Sequence, residues 1–196
     1  TGWAGNASED DQPSIQTGRW VHALSLPRAL SLRNGRLIQR PATDLPDDAG
    51  QSALVGRPLE TGQYEVVELR GHRSWQLRLE ANAAPGSGAW GLRIGSDQSH
   101  VDIVLDEGAL RVDRSTSRYT QYGAVRTVTL PEGCEPVLEI VHDRSLTEVF
   151  VGDGILAFTL RSFVDVSSSG ARLLVERPLE LTSASTRTFP PRPDAL

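Results

Sequence analysis

The segment His142–Phe150 (HDRSLTEVF) contains two carboxylates, Asp143 in a predicted tight turn and Glu148 in the run that follows it. Two carboxyl groups can work together as acid and base. The alternative is structural: Asp143 and Ser145 can hydrogen-bond the turn backbone, and Glu148 can pair with an Arg across a sheet. The sequence favours the structural role, because turn chemistry accounts for these residue types without a substrate.

The tripeptide Asp-Arg-Ser occurs twice, as Asp113–Ser115 and as Asp143–Ser145. A pair of guanidinium groups could bind a sulfate or phosphate through parallel hydrogen bonds. Both copies follow apolar strand-like runs, however, and Asp and Ser are common turn residues. We therefore predict two strand-end turns whose Arg side chains are solvated or salt-bridged.

Metal, cofactor and nucleophile chemistry find little support in the sequence. Its four His residues are scattered without metal-ligand spacing. The single Cys134 excludes an intrachain disulfide and a cysteine-built metal site, and no cationic neighbour marks it as reactive. No Ser-His-Asp constellation and no Gly-rich phosphate-binding loop occurs. We expect no metal and no cofactor in this chain.

Two tyrosines in the polar loop Ser115–Gly123, Tyr119 and Tyr122, suggest sugar binding, since exposed aromatic rings bind sugars. The alternative is a loop that covers an edge strand. The sequence favours the covering loop, because loop aromatics often cap the rim of a sandwich.

Short strands must position these residues. Val137–Phe163 is predicted to form three strands joined by turns at Asp143–Ser145 and Gly152–Gly154, because Asp-Gly between β-branched and aromatic runs is a strong hairpin signal. A meander this apolar needs a second layer to cover it.

From Gly62 onward, strands of alternating polarity recur at spacings of roughly 8–12 residues, which is typical of a sandwich or barrel. We predict an all-β fold over residues 62–189, with two antiparallel sheets packed face to face and each wet on one side. The predicted core comprises Trp75, Leu77, Leu79, Trp90, Leu92, Ile94, Val101, Ile103, Leu105, Leu138, Ile140, Phe150, Leu156, Phe158, Leu160, Leu173 and Val175.

Residues 1–41 differ in texture from the rest. A hairpin is predicted for Ala29–Arg33 and Arg36–Arg40 around the Asn34-Gly35 turn, after a strand over Trp20–Leu26. These pieces amount to the last strands of a sheet whose other strands are missing. Residues 42–61 have linker composition, and the Pro-rich tail 190–196 is expected to be frayed.

Composition narrows the partners. The formal net charge is −5 and no basic stretch is interleaved with aromatics, so nucleic acid is not expected. No apolar run is long enough to cross a membrane. The 196 residues contain no Met, position 1 included, which predicts a processed product or a fragment of a longer protein. The compartment of that protein, a bacterial cytoplasm or the outside, depends on residues upstream.

Several segments in order resemble one family. SLPRALSLRNGRLIQRP (Ser25–Pro41) is similar to the stretch that closes the catalytic domain in glycoside hydrolase family 32, which contains invertases, levanases, inulinases and sucrose-6-phosphate hydrolases. Trp3, in a Gly-Trp pair, and Trp20 match that family's upstream spacing. LRVDRS (Leu110–Ser115) and HDRSLTEVFVGDG (His142–Gly154) resemble a strand-turn and a hairpin of the same family. The matches are collinear and cover nearly the whole chain.

The resemblance implies an architecture: a five-bladed β-propeller with the active site, a linker, and a C-terminal β-sandwich of the concanavalin-like or jelly-roll type. Residues 1–41 would then be the end of the last blade, 42–61 the linker and 62–189 the sandwich. The implied partners are the propeller of the parent enzyme, sucrose or fructans through that parent, and a second copy, since sandwich modules mediate dimers in some members.

The resemblance also implies what is missing. Retaining hydrolysis of β-fructofuranosides needs two carboxyl groups roughly 5 Å apart. The family carries them in WMNDPN-like and EC motifs and adds a stabilising Asp in RDP; none of the three motifs occurs here. Trp3 is the one residue with a substrate role implied by the resemblance, since an aromatic from the last blade lines the fructose pocket. The alternative is that Trp3 only fills the blade.

The leading hypothesis is therefore the C-terminal portion of a family 32 β-fructofuranosidase, a structural module that docks on the propeller and is not catalytic alone. A lectin-like sandwich with its own sugar groove is the alternative. Two or three aromatics pointing outward from one sheet would favour it, and the sequence places most aromatics inward. A further option is one subunit of a complex whose other chain carries the front of the propeller.

Overall fold

The computed structural model describes residues 1–4, 22–42, 49–83, 88–120, 123–165 and 170–190. The N-terminal strip, defined here as residues 1–4 and 22–42, contains two small antiparallel pairs. Its strands are β1 (Trp3–Ala4), β2 (Ala23–Leu24), β3 (Arg28–Arg33) and β4 (Arg36–Pro41). Asn34 and Gly35 both have positive φ, at 52° and 74°, as a two-residue hairpin turn requires, and the predicted hairpin is confirmed.

The remaining strands form two antiparallel sheets. The six-stranded sheet has the order β12-β11-β10-β9-β16-β7. Its strands are β7 (Gly62–Glu65), β9 (Trp90–Gly95), β10 (His100–Asp106), β11 (Ala109–Asp113), β12 (Val125–Thr129) and β16 (Ala171–Val175).

The seven-stranded sheet has the order β15-β14-β13-β8-β17-β5, and β6 also pairs with β17. Its strands are β5 (Gly50–Gln51), β6 (Pro58–Leu59), β8 (Ser74–Ala81), β13 (Val137–Asp143), β14 (Leu146–Val151), β15 (Leu156–Arg161) and β17 (Leu179–Thr188). The predicted meander is β13-β14-β15, with the turns where the sequence placed them.

The core lies between the two sheets. Leu77 and Ile140 are fully buried on the inner face of the seven-stranded sheet, and Leu92 and Ile103 on that of the six-stranded sheet. This arrangement confirms the all-β fold with two antiparallel sheets. Leu156, Phe158 and Leu160 also pack against the core but are only partly buried, because β15 is an edge strand.

Phe150 is buried, yet it does not belong to the inter-sheet core. The side chains of Val149 and Val151 take the inner face of β14, so period 2 sends Phe150 to the opposite face. There its ring lies 5.3 Å from the guanidinium carbon of Arg28 in the N-terminal strip. The prediction of Phe150 as a sandwich-core residue was therefore wrong, although its burial was right.

Some predicted boundaries differ from the structure. Two short strands, β5 and β6, occupy part of the stretch interpreted as a linker and pair with β17. The first strand after Gly62 is short: β7 ends at Glu65, and Val67–Leu69 forms a 3-10 helix. Within the described residues no helix is long and apolar enough to cross a membrane. Trp20, Tyr122 and most of the tail 190–196 lie outside those residues.

A polar chain crosses the otherwise apolar core at one end of β13 and β14. His142 Nδ1 and Thr147 Oγ1 are 2.9 Å apart, and Thr147 Oγ1 lies 2.5 Å from Ser162 Oγ. All three residues are buried, and the imidazole lies 5.2 Å from the Trp75 ring. Burial lowers the pKa of His142 to about 4, with a smaller raising effect from Asp143 and a lowering one from Arg73.

This depressed pKa predicts an acid-sensitive fold. Below a pH of about 6.5 the unfolded chain binds a proton at His142, whereas the folded chain binds it only near a pH of about 4. The free energy of unfolding should therefore fall as the pH drops through that window, by at most about 3.5 kcal/mol at about 1.4 kcal/mol per pKa unit. Urea unfolding of the wild type and of His142→Gln at several pH values measures it. Parallel pH profiles for the two proteins would contradict the assignment to His142.

Candidate docking interface

One face of the seven-stranded sheet is turned away from the core, and the N-terminal strip packs against this face at β14, β15 and the turn between them. This outer face was predicted to be wet, but several of its side chains on β8, β13, β14 and β15 are buried. They are Gln76, Glu139, Val141, Glu148, Phe150 and Arg161. The prediction failed because polar residues at alternate strand positions can pair with another part of the chain as well as with water.

Glu148 is the most deeply buried carboxylate on this face, at 1% exposure. Its Oε2 accepts hydrogen bonds from Arg28 Nη2 at 2.7 Å and Nε at 3.2 Å, and its Oε1 accepts one from the backbone N–H of Leu26. Thr159 Oγ1 also donates to Oε2 at 3.4 Å. Glu148 was expected to pair with an Arg across its own sheet; its partner instead comes from the N-terminal strip.

Arg28 contacts four side chains at this interface. Besides Glu148, its guanidinium group donates to Gln39 Oε1 at 3.0 Å and to Thr159 Oγ1 at 2.6 Å. It also lies over the Phe150 ring. A guanidinium group with this many fixed partners positions the strip on the sheet as well as neutralising the carboxylate.

A second contact lies at the turn between β14 and β15. The carboxylate of Asp153 forms ion pairs with Arg33 at 3.5 Å, with Arg78 at 3.3 Å and with Arg40. Arg40 Nε also donates to the backbone oxygen of Asp153 at 3.1 Å. Two of the three arginines belong to the β3-β4 hairpin, so this turn fixes the hairpin to the sheet.

The backbone meets directly beside Asp153. Gln39 N donates to Gly154 O at 2.8 Å. Gly154 has a φ of 93°, and a Cβ placed there would lie 2.2 Å from Gln39 O. Glycine is therefore required both by the backbone conformation and by the close approach of β4.

A cleft of about 640 Å³ opens between the strip and the sandwich. Trp3 lines it and is 59% exposed, with its ring 4.9 Å from that of His22 in an edge-on arrangement. Arg161, from β15, donates to Ala4 O at 3.5 Å and to Ser145 Oγ at 3.2 Å. Trp3, the one predicted substrate residue, is thus accessible at the edge of a cleft.

Asp143 and Glu148 do not form a working acid-base pair. Asp143 accepts a hydrogen bond from Ser74 Oγ at 2.6 Å in an exposed position, while Glu148 is fully engaged with the strip. Neither lines the cleft. Ser145 does not bond the turn as expected; its hydroxyl accepts from Arg161.

The two Asp-Arg-Ser copies have different roles. Asp113 Oδ1 accepts from Ser115 N at 2.8 Å, as expected for a turn. Arg114 donates to two carbonyl groups of the loop, Tyr119 O at 3.0 Å and Gly123 O at 3.2 Å. In the second copy Arg144 has a φ of 57° and supplies the turn itself.

Tyr119 is buried and packs edge-on against Phe163, with ring centroids 5.8 Å apart. This supports the interpretation of its loop as a cover and not as an exposed sugar platform. Cys134 is partly buried, and burial raises the pKa of its thiol, which suits an unreactive side chain. In the part of the chain that the structure describes, no group of three or more His, Cys, Asp or Glu side chains could hold a metal ion.

Sequence reasoning missed the partners at this interface. Arg28, Arg40 and Asp153 are charged residues of ordinary appearance in strands and turns. One signal was available for Glu148: polar residues at alternate positions of β14 can pair with protein groups instead of water, and this allows Glu148 to be buried. The Asp153-Gly154 pair was identified as a hairpin turn, but its contact with β4 was not foreseen.

Comparison with known proteins gives a consistent result. The family model described as "Glycosyl hydrolases family 32 C terminal" matches residues 47–189. A probable sucrose-6-phosphate hydrolase of Psychromonas ingrahamii is 33% identical over 172 residues, covering 85% of this chain and 29% of the relative. A raffinose invertase of Escherichia coli is 30% identical over 168 residues, covering 81% and 33%. The chain spans about a third of the length of the curated relatives it matches.

Solved structures share the fold at lower identity. The exo-inulinase of Aspergillus awamori has a TM-score of 0.71 at 20% identity, covering 90% of this chain and 37% of that one. The sucrose-6-phosphate hydrolase of Lactobacillus gasseri has a TM-score of 0.69 at 21% identity, covering 91% and 36%.

Removing the buried carboxylate should loosen the strip. We expect Glu148→Ala to lower the free energy of unfolding by about 3–5 kcal/mol, because Arg28 would lose its charge partner in a buried place. Glu80→Ala, which removes a more exposed carboxylate paired with Arg78 on the same sheet, should cost less than about 1 kcal/mol.

Chemical denaturation measures the free energy of unfolding of these variants. A double-mutant cycle compares the wild type, Glu148→Ala, Arg28→Ala and the double variant Arg28→Ala/Glu148→Ala. The double variant should be less destabilised than the sum of the singles, since the two side chains contact each other. Strict additivity would mean that the pair is not coupled.

Gly154→Ala tests the close approach of the strip. Gly108 also has positive φ, 79°, but has no atom within reach of an added Cβ, so Gly108→Ala reports the backbone cost alone, about 1 kcal/mol. We expect Gly154→Ala to cost about 1–3 kcal/mol more, because Gln39 O must move. Denaturation curves measure both, and equal losses would show that the strip does not depend on this contact.

Proposed function

The chain belongs to glycosyl hydrolase family 32, and we propose that it is the C-terminal module of a longer β-fructofuranosidase, which it supports structurally without catalysing hydrolysis itself. The main support for this proposal is the buried ion pair between Glu148 and Arg28, which joins the strip to the sandwich. The strip would be the end of the catalytic propeller, so the sandwich docks on the propeller through it.

The free side of the strip supports this assignment. Among the described residues, most exposed large apolar side chains lie there and only two lie in the sandwich. Those of the strip are Trp3, Leu24, Leu30, Leu32 and Leu37. Leu32 is 77% exposed, and β3 pairs with β4 alone among the described strands. A strand pair with an open edge and an uncovered apolar face is typical of part of a larger sheet. We propose that the upstream two thirds of the enzyme cover it.

The absence of catalysis is proposed from the sequence and the site together. None of the three catalytic motifs that the resemblance implies is present. The carboxylate in the family-like hairpin, Glu148, already binds Arg28 and the Leu26 N–H. A carboxylate with its lone pairs occupied in this way is a structural anchor and not an acid or base poised for a substrate.

The substrate would reach this module only at its edge. Trp3 lies beside the cleft with much of its indole exposed, and aromatic faces suit the C–H faces of sugar rings. We propose that Trp3 contributes to the sugar pocket of the parent, whose substrates would be sucrose, sucrose 6-phosphate or fructans. A relative named as a sucrose-6-phosphate hydrolase and one named as a raffinose invertase support this class of substrate.

The competing function is a lectin-like module, and the outer face of the six-stranded sheet does not support it. The outer face of the six-stranded sheet carries ion pairs, such as Arg93 with Asp102 at 2.7 Å and Arg172 with Asp97 at 2.9 Å. None of its described strand residues that point outward is Trp, Tyr or Phe. Saturable binding of sucrose, inulin or levan at this face would favour the lectin.

A chimaera tests the proposal. In the Psychromonas ingrahamii relative, the matching C-terminal part is replaced by this chain. We expect no fructose release from sucrose or sucrose 6-phosphate by the chain alone, and hydrolysis by the chimaera. Glu148→Ala in the chimaera should lower its thermal midpoint more than Glu80→Ala does, because it loosens the junction.

Hydrolysis by the isolated chain would overturn the non-catalytic assignment. Equal stability of the relative with and without the module would overturn the structural one. We also propose that a second copy binds through the sandwich to form a homodimer. Analytical ultracentrifugation of the intact protein measures its oligomeric state and tests this proposal.

A further inference from the structure

Trp3 lies on a very small element of the strip. The strands β1 and β2 contain two residues each and pair only over those residues. At one end of this ribbon, Gly2 N donates to Ser25 Oγ at 2.7 Å and Ser25 N donates to Gly2 O at 2.8 Å. A ribbon of two short strands is marginally stable by itself. Contacts with another element must therefore fix the orientation in which the ribbon presents Trp3.

One such contact comes from the sandwich. The strand β15 lies at the edge of the seven-stranded sheet and faces β1 across the cleft. Its last residue is Arg161, whose Nη1 donates to Ala4 O at 3.5 Å, directly after Trp3 in the chain. The acceptor is a backbone oxygen, so the contact acts on the ribbon itself and is independent of the indole. Arg161 thus connects the element that carries Trp3 to a large, well-packed sheet.

The Arg161 side chain is itself fixed by the sandwich. It is buried, and its Nη2 donates to Ser145 Oγ at 3.2 Å. Its guanidinium carbon lies 4.8 Å from the centre of the Phe163 ring, and its backbone oxygen accepts a hydrogen bond from Arg114 Nη1 at 3.2 Å. A side chain whose rotamer is fixed by packing and hydrogen bonds, and which is mounted on a strand, supports a neighbouring group precisely.

Ser145 gives the second Asp-Arg-Ser copy a role in this link. Ser145 is buried in the turn between β13 and β14, and its backbone oxygen accepts a hydrogen bond from Ser162 N at 2.7 Å. Its hydroxyl is therefore held next to the end of β15, where it accepts from Arg161. The turn thus closes a hairpin and also orients the guanidinium group that contacts β1.

We propose that Arg161 is a positioning residue, which holds the Trp3 indole in the cleft through the backbone of Ala4 and is itself oriented by Ser145. The proposal rests on the proposed function in one respect, namely that Trp3 contacts the sugar of the parent's substrate. The link between Arg161 and Trp3 belongs to the 196-residue chain and needs no substrate, so its failure and that of the proposed function are separable. The sandwich would then assist substrate binding without contacting the substrate.

Fluorine NMR of the 196-residue chain labelled with 5-fluorotryptophan tests the link in the absence of substrate. The chain has four Trp residues, and Trp3→Phe identifies the resonance of Trp3. Trp75 and Trp90 are buried in the core, so their resonances report whether the fold is retained. We expect Arg161→Leu to shift and narrow the Trp3 resonance, because the indole would then sample several orientations rapidly. An unchanged Trp3 resonance in the folded variant would overturn the proposal.

Three further variants separate the link from a loss of charge. Arg161→Lys keeps a cation with N–H donors and should restore part of the wild-type Trp3 resonance. Ser145→Ala should give a smaller change in the same direction as Arg161→Leu, and no change would refute the role of Ser145. Arg118→Leu is the matched control, because Arg118 is an exposed arginine that pairs with Asp165 and whose backbone N–H donates to Phe163 O. A change equal to that of Arg161→Leu would contradict a specific link.

Kinetics of the chimaera described above test the consequence for the substrate. We expect Arg161→Leu to raise KM for sucrose or sucrose 6-phosphate about tenfold and to leave kcat within about twofold, because Trp3 contacts the sugar equally in the ground and transition states. Arg161→Lys should recover part of the loss, and Arg118→Leu should have no effect. An unchanged KM for Arg161→Leu would overturn the role in substrate binding. An inactive parent chimaera would instead contradict the proposed function, and the fluorine spectra would still decide whether Arg161 holds Trp3.

Discussion

A carboxylate that leaves water must be paired, and this requirement at Glu148 determines how the two parts of the chain fit together. Period 2 along β14 sends Val149 and Val151 into the core and turns Glu148 and Phe150 to the other face. That face would be an unsuitable place for a buried charge unless Arg28 and the Leu26 N–H arrived with the strip. The sheet and the strip therefore depend on each other.

The second anchor works through backbone geometry. At the turn between β14 and β15, Asp153 gathers arginines from both sides of the junction, and Gly154 lets β4 come within hydrogen-bonding distance. A single anchor would leave the hairpin free to rotate about it, whereas two anchors, Glu148 within β14 and Asp153 in the turn after it, fix the position of the hairpin on the sheet. The same loop therefore closes a strand pair within the sandwich and holds the strip from outside.

Identical sequence patterns serve different ends in this molecule. On β10, Asp102 pairs with Arg93 of the neighbouring strand at 2.7 Å, within its own six-stranded sheet. On β14, Glu148 occupies an equivalent alternate position but is buried, because another part of the chain covers it. The two Asp-Arg-Ser copies differ in the same way: Arg114 is tied to loop carbonyls, whereas Arg144 makes a turn.

The sequence by itself determined the all-β class, the hairpin at Asn34-Gly35, the β13-β14-β15 meander and most of the core, because these follow from local period and turn chemistry. It also carried segments that resemble family 32, and the model of that family's C-terminal part matches residues 47–189. Only the tertiary structure decided that Phe150 lies outside the core, that Glu148 pairs with Arg28, and that arginines from distant segments line one cleft. A period of two states which residues share a face, but it is silent on what covers that face. The residues that cover the outer face of β14 lie far away in the sequence: Arg28, which contacts Glu148, is separated from it by 120 positions.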